Sequence, residues 1–310
     1  MHTNWNTNDF DAIVIGGSYA GLSAAMQLAR ARRRVLVIDA GLRRNRFAQK
    51  SHGFLGQDGR DGAAIAAEGR AQLLAYPNVR WVEGTASHAG KDDDGFVVTV
   101  GDGETFHSKR LVLATGVVDE LPAIDGLAPR WGKSVFPCPY CDGYELDNGR
   151  IGVLATGPLS IHHAMLLPDW GQVTLFTNGA FVPDEAQTAA LKARGAVIEP
   201  EHVLRIVDTA TVELEDGRLV PMDGLFTLTK IRMASPLAEQ LGCAFDEGPF
   251  GALIHTEASK ETTVPGVFAC GDAARMAASV ALAVGDGVLA GVSAHQSMIF
   301  QPKPEPARGS

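Results

Sequence analysis

The chain has 310 residues, of which 45% are hydrophobic and 20% are charged, and its formal net charge is −9. This length allows two domains with separate cores, and the acidic balance with only short basic clusters argues against a nucleic-acid partner. No apolar run approaches the ~18 residues of a membrane span, and the polar N-terminus lacks the apolar core of a secretory signal, so we expect a cytoplasmic protein without a membrane partner.

The first predicted elements are a strand, a glycine-rich turn and a helix. Asp11–Ile15 is typical of a buried parallel strand and Leu22–Ala29 of a helix. Between them, Gly16 permits a sharp bend, Gly21 permits close packing of helix on strand, and the N–H groups at the helix start can hold a pyrophosphate. The candidate dinucleotide-binding residues here are Gly16, Gly17, Ser18, Tyr19, Ala20 and Gly21, with Ser18 in place of the usual middle glycine.

A second strand supports the dinucleotide interpretation. Val35–Ile38 ends in Asp39, where a carboxylate can bind an adenosine ribose hydroxyl. The irregular segment 43–62 that follows is long enough to be functional, and we expect it to lie along the cofactor. It contains His52, which has no visible partner in the sequence and which we interpret as a loop histidine rather than a catalytic one.

The chain then continues through a helix and more strands. A helix is predicted over 63–75, and it is followed by strands at Val79–Val82, Gly95–Val100 and Thr105–His107. A further buried strand starts at Leu111 and ends in the small residues Ala114, Thr115 and Gly116. We predict a domain boundary just after this strand.

The next feature is a Cys-x-x-Cys pair, Cys138 and Cys141, with Asp142 beside it. Two such cysteines can close a small disulfide ring, and the acid can carry protons to and from the sulfur. A thiol with a pKa of ~8.5 becomes reactive at neutral pH when that pKa falls by roughly 1.5 units, about 2 kcal/mol, which a partly buried helix N-terminus can supply.

Half a zinc site and an inert structural disulfide are the alternatives. Because Cys243 and Cys270 are isolated from each other, they make a poor second ligand pair, and we expect no metal.

The chain after the cysteines repeats its opening plan. Ile151–Leu154 is a predicted strand, a turn around Gly157 follows, and Ile161–Leu167 is a predicted helix. The remaining predicted strands of this part are Val173–Phe176, Val203–Val207, Thr211–Leu214 and Leu225–Thr229. A strand starting at Val264 then runs into a Gly-Asp turn, and a helix over about 280–297 closes the fold.

This repetition predicts an α/β protein with two Rossmann-like dinucleotide-binding domains, the second inserted into the first. The predicted first domain covers 1–117 and 240–300, and the predicted inserted domain covers 118–239. The proline-rich end, 301–310, is predicted to be disordered.

Four motifs in this order resemble the low-molecular-weight thioredoxin reductase family, namely the Gly16 turn, the strand end Ala114–Gly116, Cys138–Gly143 and Gly266–Asp272. The resemblance covers nearly the whole chain. It implies an FAD domain formed by the two ends of the chain, a pyridine-nucleotide-type domain that carries the cysteines, a homodimer, and a small redox protein or a small-molecule disulfide or dithiol as partner. The residues that it assigns to FAD, besides the first turn and Asp39, are Ala114, Thr115, Gly116, Gly271 and Asp272.

The resemblance also implies roles for the redox residues. Asp272 would hydrogen-bond the flavin ribityl chain, and Cys141 would lie against the isoalloxazine. Cys138 would exchange with the substrate disulfide, and Asp142 would act as acid and base.

Departures from the family pattern lie in the second dinucleotide unit. Pro158 removes a backbone donor where a pyrophosphate would lie, and Thr177–Ala180 replaces the arginine-rich segment that binds a 2′-phosphate. The choice between NADPH and NADH therefore stays open. The segment Thr177–Ala180, together with Cys138–Cys141 followed by Gly143–Glu145, also resembles the branch that contains dithiol oxidases of disulfide natural products, which pass electrons through FAD to oxygen. Those enzymes often carry His where this chain has Asp142, which favours a reductase-like role.

Two further alternatives come from other classes. The sequence Cys138-Pro139-Tyr140-Cys141 is also the active-site sequence of glutaredoxins. A single small glutaredoxin domain would, however, leave the two dinucleotide-binding units unexplained. A flavin-bearing redox sensor without turnover is the non-enzymatic alternative, although no output domain is recognisable.

Overall fold

The computed structural model describes residues 8–300, which form two compact units. The first comprises the chain up to Arg44, Ala63–Val118 and the chain from Ile231, and the second comprises Asn45–Gly62 and Asp119–Lys230. Each unit contains a parallel sheet with helices, so the predicted class of two Rossmann-like α/β domains, one inserted into the other, is confirmed.

The domain boundaries and cofactor assignments of the sequence analysis, 1–117 with 240–300 and 118–239, stay predictions. The predicted disordered tail, 301–310, lies outside the described residues. Between residues 8 and 300, no helix is both long and apolar enough to cross a membrane.

The strands are β1 (Asp9–Ile15), β2 (Val35–Asp39), β3 (Val79–Glu83), β4 (Ala86–Lys91), β5 (Phe96–Val100), β6 (Glu104–Leu113), β7 (Val117–Glu120), β8 (Val135–Phe136), β9 (Arg150–Leu154), β10 (Gln172–Phe176), β11 (Val197–Glu199), β12 (Val203–Val207), β13 (Thr211–Leu214), β14 (Leu219–Val220), β15 (Gly224–Thr227), β16 (Lys230–Met233), β17 (Phe245–Gly248), β18 (Gly251–Ile254) and β19 (Val267–Ala269). The helices are α1 (Tyr19–Arg30), α2 (Gly62–Leu74), α3 (Pro139–Asp142), α4 (Ile161–Leu166), α5 (Glu185–Ala193), α6 (Leu237–Leu241) and α7 (Val280–Phe300).

The first unit is built on a sheet in which β3, β2, β1, β6 and β19 run parallel. Its central strand β1 is buried on both faces from Ala12 to Ile15, as expected for a parallel strand covered by helices. Ile15 pairs with Leu113, and Ala269 pairs with Leu113 from the other side. Because these strands end level with one another, the turns that follow them meet at one edge of the sheet.

Helices α1 and α7 pack closely together against this sheet. A Cβ on Gly287 would overlap the carbonyl oxygen of Ala20, and a Cβ on Gly291 would overlap that of Ala24. Small residues on both helices therefore let the two backbones approach each other. This contact ties the C-terminal helix to the helix that begins at the first glycine-rich turn.

The structure corrects the strand assignment before the first boundary. The predicted strand Thr105–His107 and the one that starts at Leu111 are a single strand, β6, because the polar residues between them continue the ladder, with Ser108 opposite Phe96. Strand β4 was not predicted from the sequence. Its Ala, Ser, His and Gly residues have little strand propensity, and this segment forms a strand because it pairs with β5.

The inserted unit has a five-stranded parallel sheet in the order β11, β10, β9, β15, β8, together with an antiparallel sheet of β12, β13 and β14. Phe176, Leu154 and Leu225 are fully buried on one side of the parallel sheet, and Val153 and Phe226 on the other. The repeat of strand, turn and helix that the sequence predicts is present as β9, the turn after it, and α4.

Candidate functional site

The first glycine-rich turn joins β1 to α1. Gly16 has a φ of +103°, and a Cβ there would overlap the carbonyl oxygen of Ala114. A Cβ on Gly21 would overlap the carbonyl oxygen of Gly16 itself. The side chain of Ser18, the N-cap, makes no capping hydrogen bond within the described part of the chain. Only glycine fits at Gly16 and Gly21, and the N-terminus of the helix keeps its affinity for an anion.

Asp39 lies at the end of β2, directly beside this turn. The Gly17 N–H donates a hydrogen bond to Asp39 Oδ1 at 3.0 Å. A Cβ on Gly17 would come within 2.7 Å of the Asp39 Cβ. The carboxylate is therefore held against the backbone of the turn, which is where an acid binds the ribose of a dinucleotide.

The Gly-Asp turn follows β19 at the same edge of the sheet. Gly271 has a φ of +71°, and its N–H donates to Asp286 Oδ2 at 2.8 Å. Asp286 is only 3% exposed, and its other oxygen forms an ion pair with Lys260 Nζ at 2.7 Å. The next residue, Asp272, accepts a hydrogen bond from Arg44 Nη1 at 3.0 Å. A buried carboxylate thus fixes the turn that presents Asp272.

These residues fit an adenine dinucleotide such as FAD. The turn after β1 admits a pyrophosphate to the backbone because side chains at Gly16 and Gly21 would clash, and Asp39 supplies a ribose ligand. All the predicted cofactor residues lie in the first unit, in the turn and first residues of α1, at the end of β2, after β6, and after β19: Gly16, Gly17, Ser18, Tyr19, Ala20, Gly21, Asp39, Ala114, Thr115, Gly116, Gly271 and Asp272. Their contacts with FAD stay a prediction.

The two cysteines of the inserted unit are joined in a disulfide. Cys138 is the N-cap of α3, Cys141 lies in its only turn, and their Cα atoms are 5.3 Å apart. The N–H of Cys141 donates to the Cys138 carbonyl oxygen at 3.2 Å, and that of Asp142 donates to the same oxygen at 3.3 Å. Because α3 has one turn, its dipole stabilises a thiolate less than the N-terminus of a longer helix would.

Trp170 packs against the redox motif. The ring of Tyr140 meets the Trp170 ring edge-on, with centroids 5.4 Å apart, yet Tyr140 remains 72% exposed. A Cβ on Gly143 would lie 3.0 Å from Trp170 Cγ. The tryptophan therefore leaves little space for a side chain at Gly143, while the aromatic ring between the two cysteines faces solvent.

Asp142 is the titratable group next to the disulfide. Burial, and to a smaller extent the charge of Glu145, raise the pKa of its carboxyl to about 7, while the charge of His52 acts in the opposite direction. A pKa near the working pH suits a group that both donates and accepts protons. The carboxyl that the sequence predicts as acid and base therefore has a suitable pKa in the folded chain.

Two residues near this acid were not assigned to the site from sequence. His52 Nε2 is 3.4 Å from Glu145 Oε1, although the sequence analysis interpreted His52 as a loop histidine. The partner is far away along the chain, so no local pattern joins the two. The only sequence signal is that Glu145 follows Asp142 by one helical turn.

The turn after β9 differs from the turn after β1. The Thr156 N–H donates to Ser160 Oγ at 3.0 Å, and Pro158 has no N–H to offer. Among the described residues, no atom lies within 4 Å of a Cβ built on Gly157, in contrast to Gly16 and Gly21. Two backbone donors that a pyrophosphate uses in such a turn are therefore occupied or missing.

The chain resembles known proteins over almost its full length. Residues 10–287 match the family described as pyridine nucleotide-disulphide oxidoreductase. Thioredoxin reductase tcpT of Claviceps purpurea is 34% identical over 308 residues, covering 94% of this chain and 95% of the relative. Thioredoxin reductase sirT of Leptosphaeria maculans is 34% identical over 305 residues, covering 91% of this chain and 92% of the relative.

A solved structure, that of the oxidoreductase from Agrobacterium tumefaciens, is 54% identical, with a TM-score of 0.93, and covers 95% of this chain and 100% of that one. These matches confirm the resemblance that the motifs carry. They also bear out the conclusion that the protein is a flavoprotein enzyme that uses FAD, with NAD(P)H as the electron donor of its family. With the redox disulfide and the dinucleotide turn in place, the chain belongs to the pyridine nucleotide-disulphide oxidoreductases and, within them, to the low-molecular-weight thioredoxin reductase family.

Proposed function

We propose that Cys138 and Cys141 cycle between disulfide and dithiol, exchanging with a small redox protein or with a small-molecule disulfide or dithiol. The observation that carries this proposal is the Cys138–Cys141 disulfide with Asp142 next to it. Cys138 exchanges with the substrate sulfur, Cys141 would be the sulfur that exchanges electrons with FAD when it is bound, and Asp142 supplies and removes protons. FAD, when bound, supplies the two-electron chemistry.

The proposal extends to the cofactor contacts and to the surroundings of the enzyme. The turn after β1 would hold the FAD pyrophosphate, Asp39 the adenosine ribose, and Asp272 the ribityl chain. The glycine contacts and the hydrogen bonds of Gly17 and Gly271 support this arrangement. A cytoplasmic location rests on the sequence features given above, and a homodimer on the family resemblance.

Single cysteine variants test the proposed function. Cys138→Ser and Cys141→Ser should both keep FAD bound, because neither residue lies in the first unit. Cys138→Ser should lose turnover with any disulfide or dithiol. Cys141→Ser should lose flavin reduction by a dithiol. Parent-like turnover in Cys138→Ser, measured with the same substrate, overturns the assignment.

A second candidate, a dithiol oxidase, is favoured by one observation. In the turn after β9, the Ser160 hydroxyl occupies the Thr156 N–H and Pro158 lacks a donor, which weakens the site for a pyridine nucleotide. In such an enzyme the substrate dithiol is oxidised to a disulfide, and oxygen takes the two electrons and two protons to form hydrogen peroxide. The test is to supply a dithiol and air without nucleotide. Stoichiometric oxygen uptake and peroxide support the oxidase, and turnover that requires NADPH or NADH supports the reductase.

A further inference from the structure

The hairpin of residues 51–60 lies beside the redox motif within the inserted unit. His52 Nε2 is 3.4 Å from Glu145 Oε1, and His52 Nδ1 is 3.6 Å from Asp58 Oδ1. The His52 side chain is 20% exposed. A positive charge on a histidine that is partly shielded from water acts more strongly on neighbouring groups than the same charge on a fully exposed histidine.

The hairpin holds this histidine in place. The Ser51 N–H donates to the Arg60 carbonyl oxygen at 2.8 Å, and the Gly53 N–H donates to Asp58 Oδ1 at 2.8 Å. The backbone is thus fixed on both sides of His52. A ring that is positioned in this way loses less conformational entropy when it forms an ion pair.

Glu145 connects the histidine with the acid of the redox motif. It lies in the short helical turn Tyr144–Leu146, which follows α3 after Gly143. In the described chain, burial has the largest effect on the pKa of Asp142 and raises it, Glu145 raises it further, and His52 lowers it. Asp58 faces His52 from the other end of the hairpin. Two residues of opposite charge therefore act in opposite directions on one carboxyl.

We propose that His52 and Glu145 are positioning residues that control the protonation of Asp142 and thereby the thiol–disulfide exchange at Cys138 and Cys141. This inference rests on the proposed function, in which Asp142 is the acid and base. Glu145 keeps the proton on Asp142 before the exchange, and protonated His52 stabilises the carboxylate that forms when the proton leaves.

The exchange step shows where this control acts. A substrate thiolate attacks Cys138 Sγ and forms a mixed disulfide, so the substrate sulfur is oxidised. The Cys138–Cys141 bond breaks, its electron pair goes to Cys141 Sγ, and that sulfur takes the proton of Asp142. Asp142 is then a second negative charge beside Glu145, and His52 offsets it. The reverse direction follows the same steps backwards.

The test is a matched pair of neutral variants, Glu145→Gln and His52→Gln, in the FAD-loaded protein. The rate of exchange with dithiothreitol is followed between pH 5 and 9 in single turnover. The titration of Asp142 is followed by NMR of ¹³C-aspartate, assigned with Asp142→Asn. His107→Gln is the control, because it removes a histidine from an exposed ion pair with Asp92 in the other unit.

The two variants should shift the titration of Asp142 in opposite directions. Glu145→Gln should move the Asp142 titration and the pH profile to lower pH by about one unit, and His52→Gln should move both to higher pH by a similar amount. His107→Gln should leave both unchanged. Shifts in the same direction, or unshifted titrations in both variants, overturn the inference. If the parent protein does not exchange with dithiols at any pH, the proposed function fails, and the NMR titration still decides whether His52 and Glu145 act on Asp142.

Discussion

The backbone N–H of Thr156 donates to the hydroxyl of Ser160 at 3.0 Å, inside the turn where a second dinucleotide would place its pyrophosphate. The hydroxyl takes the place of a phosphate oxygen. In the first unit, the corresponding turn has glycines at which any side chain would clash, and the side chain of Ser18 makes no capping bond in the described chain. One chain thus contains an intact dinucleotide turn and a second turn that is closed by its own side chain.

Reopening the second turn should strengthen nucleotide binding. Pro158→Ala restores an N–H, and Ser160→Ala releases that of Thr156. Each recovered donor to a charged phosphate contributes about 1.5 kcal/mol, so each should lower the Kd for NADPH or NADH about tenfold. Titration calorimetry on the single and double variants measures this. A double variant that binds no better than the parent shows that another feature closes the site.

The turn after β1 should bind FAD less tightly when Gly21 is replaced by a residue with a side chain. In Gly21→Ala, the new Cβ overlaps the carbonyl oxygen of Gly16, so the turn must move and FAD retention should fall at least about tenfold. Gly285→Ala is a matched control, because this glycine of α7 is exposed and no atom of residues 8–300 lies within 4 Å of the added Cβ. Flavin absorbance per protein after gel filtration measures retention. Equal flavin content in the two variants contradicts this account of the turn.

Asp142 should lower the stability of the fold at neutral and alkaline pH. Its pKa is about 7 in the folded protein and 3.8 for an ordinary aspartate, so the folded protein retains a proton that the unfolded chain has released. The free energy of unfolding should therefore fall as pH rises from about 4 to 7 and stay lower above that, by a total of the order of 4 kcal/mol. Asp142→Asn should abolish this fall and also impair exchange at the disulfide. Urea unfolding at pH 4.5 and pH 8 makes the comparison, and an equal pH dependence in parent and variant rules the mechanism out.

His163 should lower stability in the opposite pH range. It is 4% exposed, its Nδ1 has no hydrogen-bond partner in the described part of the chain, and burial lowers its pKa from 6.5 to about 4, with a smaller contribution from His162. The free energy of unfolding should therefore fall as the pH drops from 6.5 towards 4. At pH 5 this decrease is about 2 kcal/mol. His163→Leu should remove this loss, and the exposed His88→Leu should not. Urea unfolding at pH 7.5 and pH 5 distinguishes the two.

Structural elements could be predicted best where the residue types and the hydrophobic periodicity of a few neighbouring residues indicate the same element. The buried run at Ala12–Ile15 and the glycines after it specify β1, the turn and α1 through local geometry. Helix α5 was not predicted from the sequence, although Asp184 and Gln187 form a capping box whose spacing of three residues is visible in the sequence. That helix has a local signal that could have been used.

Other features have no local signal. Strand β4 depends on pairing with β5, and the ion pair of His52 with Glu145 joins segments that only the fold brings together. The bond between Thr156 and Ser160 is close in sequence, but a serine four residues after a turn amide has many other partners. Long-range pairing and side-chain rotamers are set by the packed structure, so the sequence alone could not assign them.

The central claim is that electrons pass between a dithiol, the Cys138–Cys141 pair and FAD. An anaerobic titration with a dithiol, such as reduced thioredoxin or dithiothreitol, tests it by following the flavin absorbance of the parent protein and of Cys141→Ser, with NADPH and NADH in separate runs. The dithiol should bleach the flavin of the parent and leave that of Cys141→Ser oxidised. Equal bleaching in both proteins, or a parent flavin that no dithiol reduces, would contradict it.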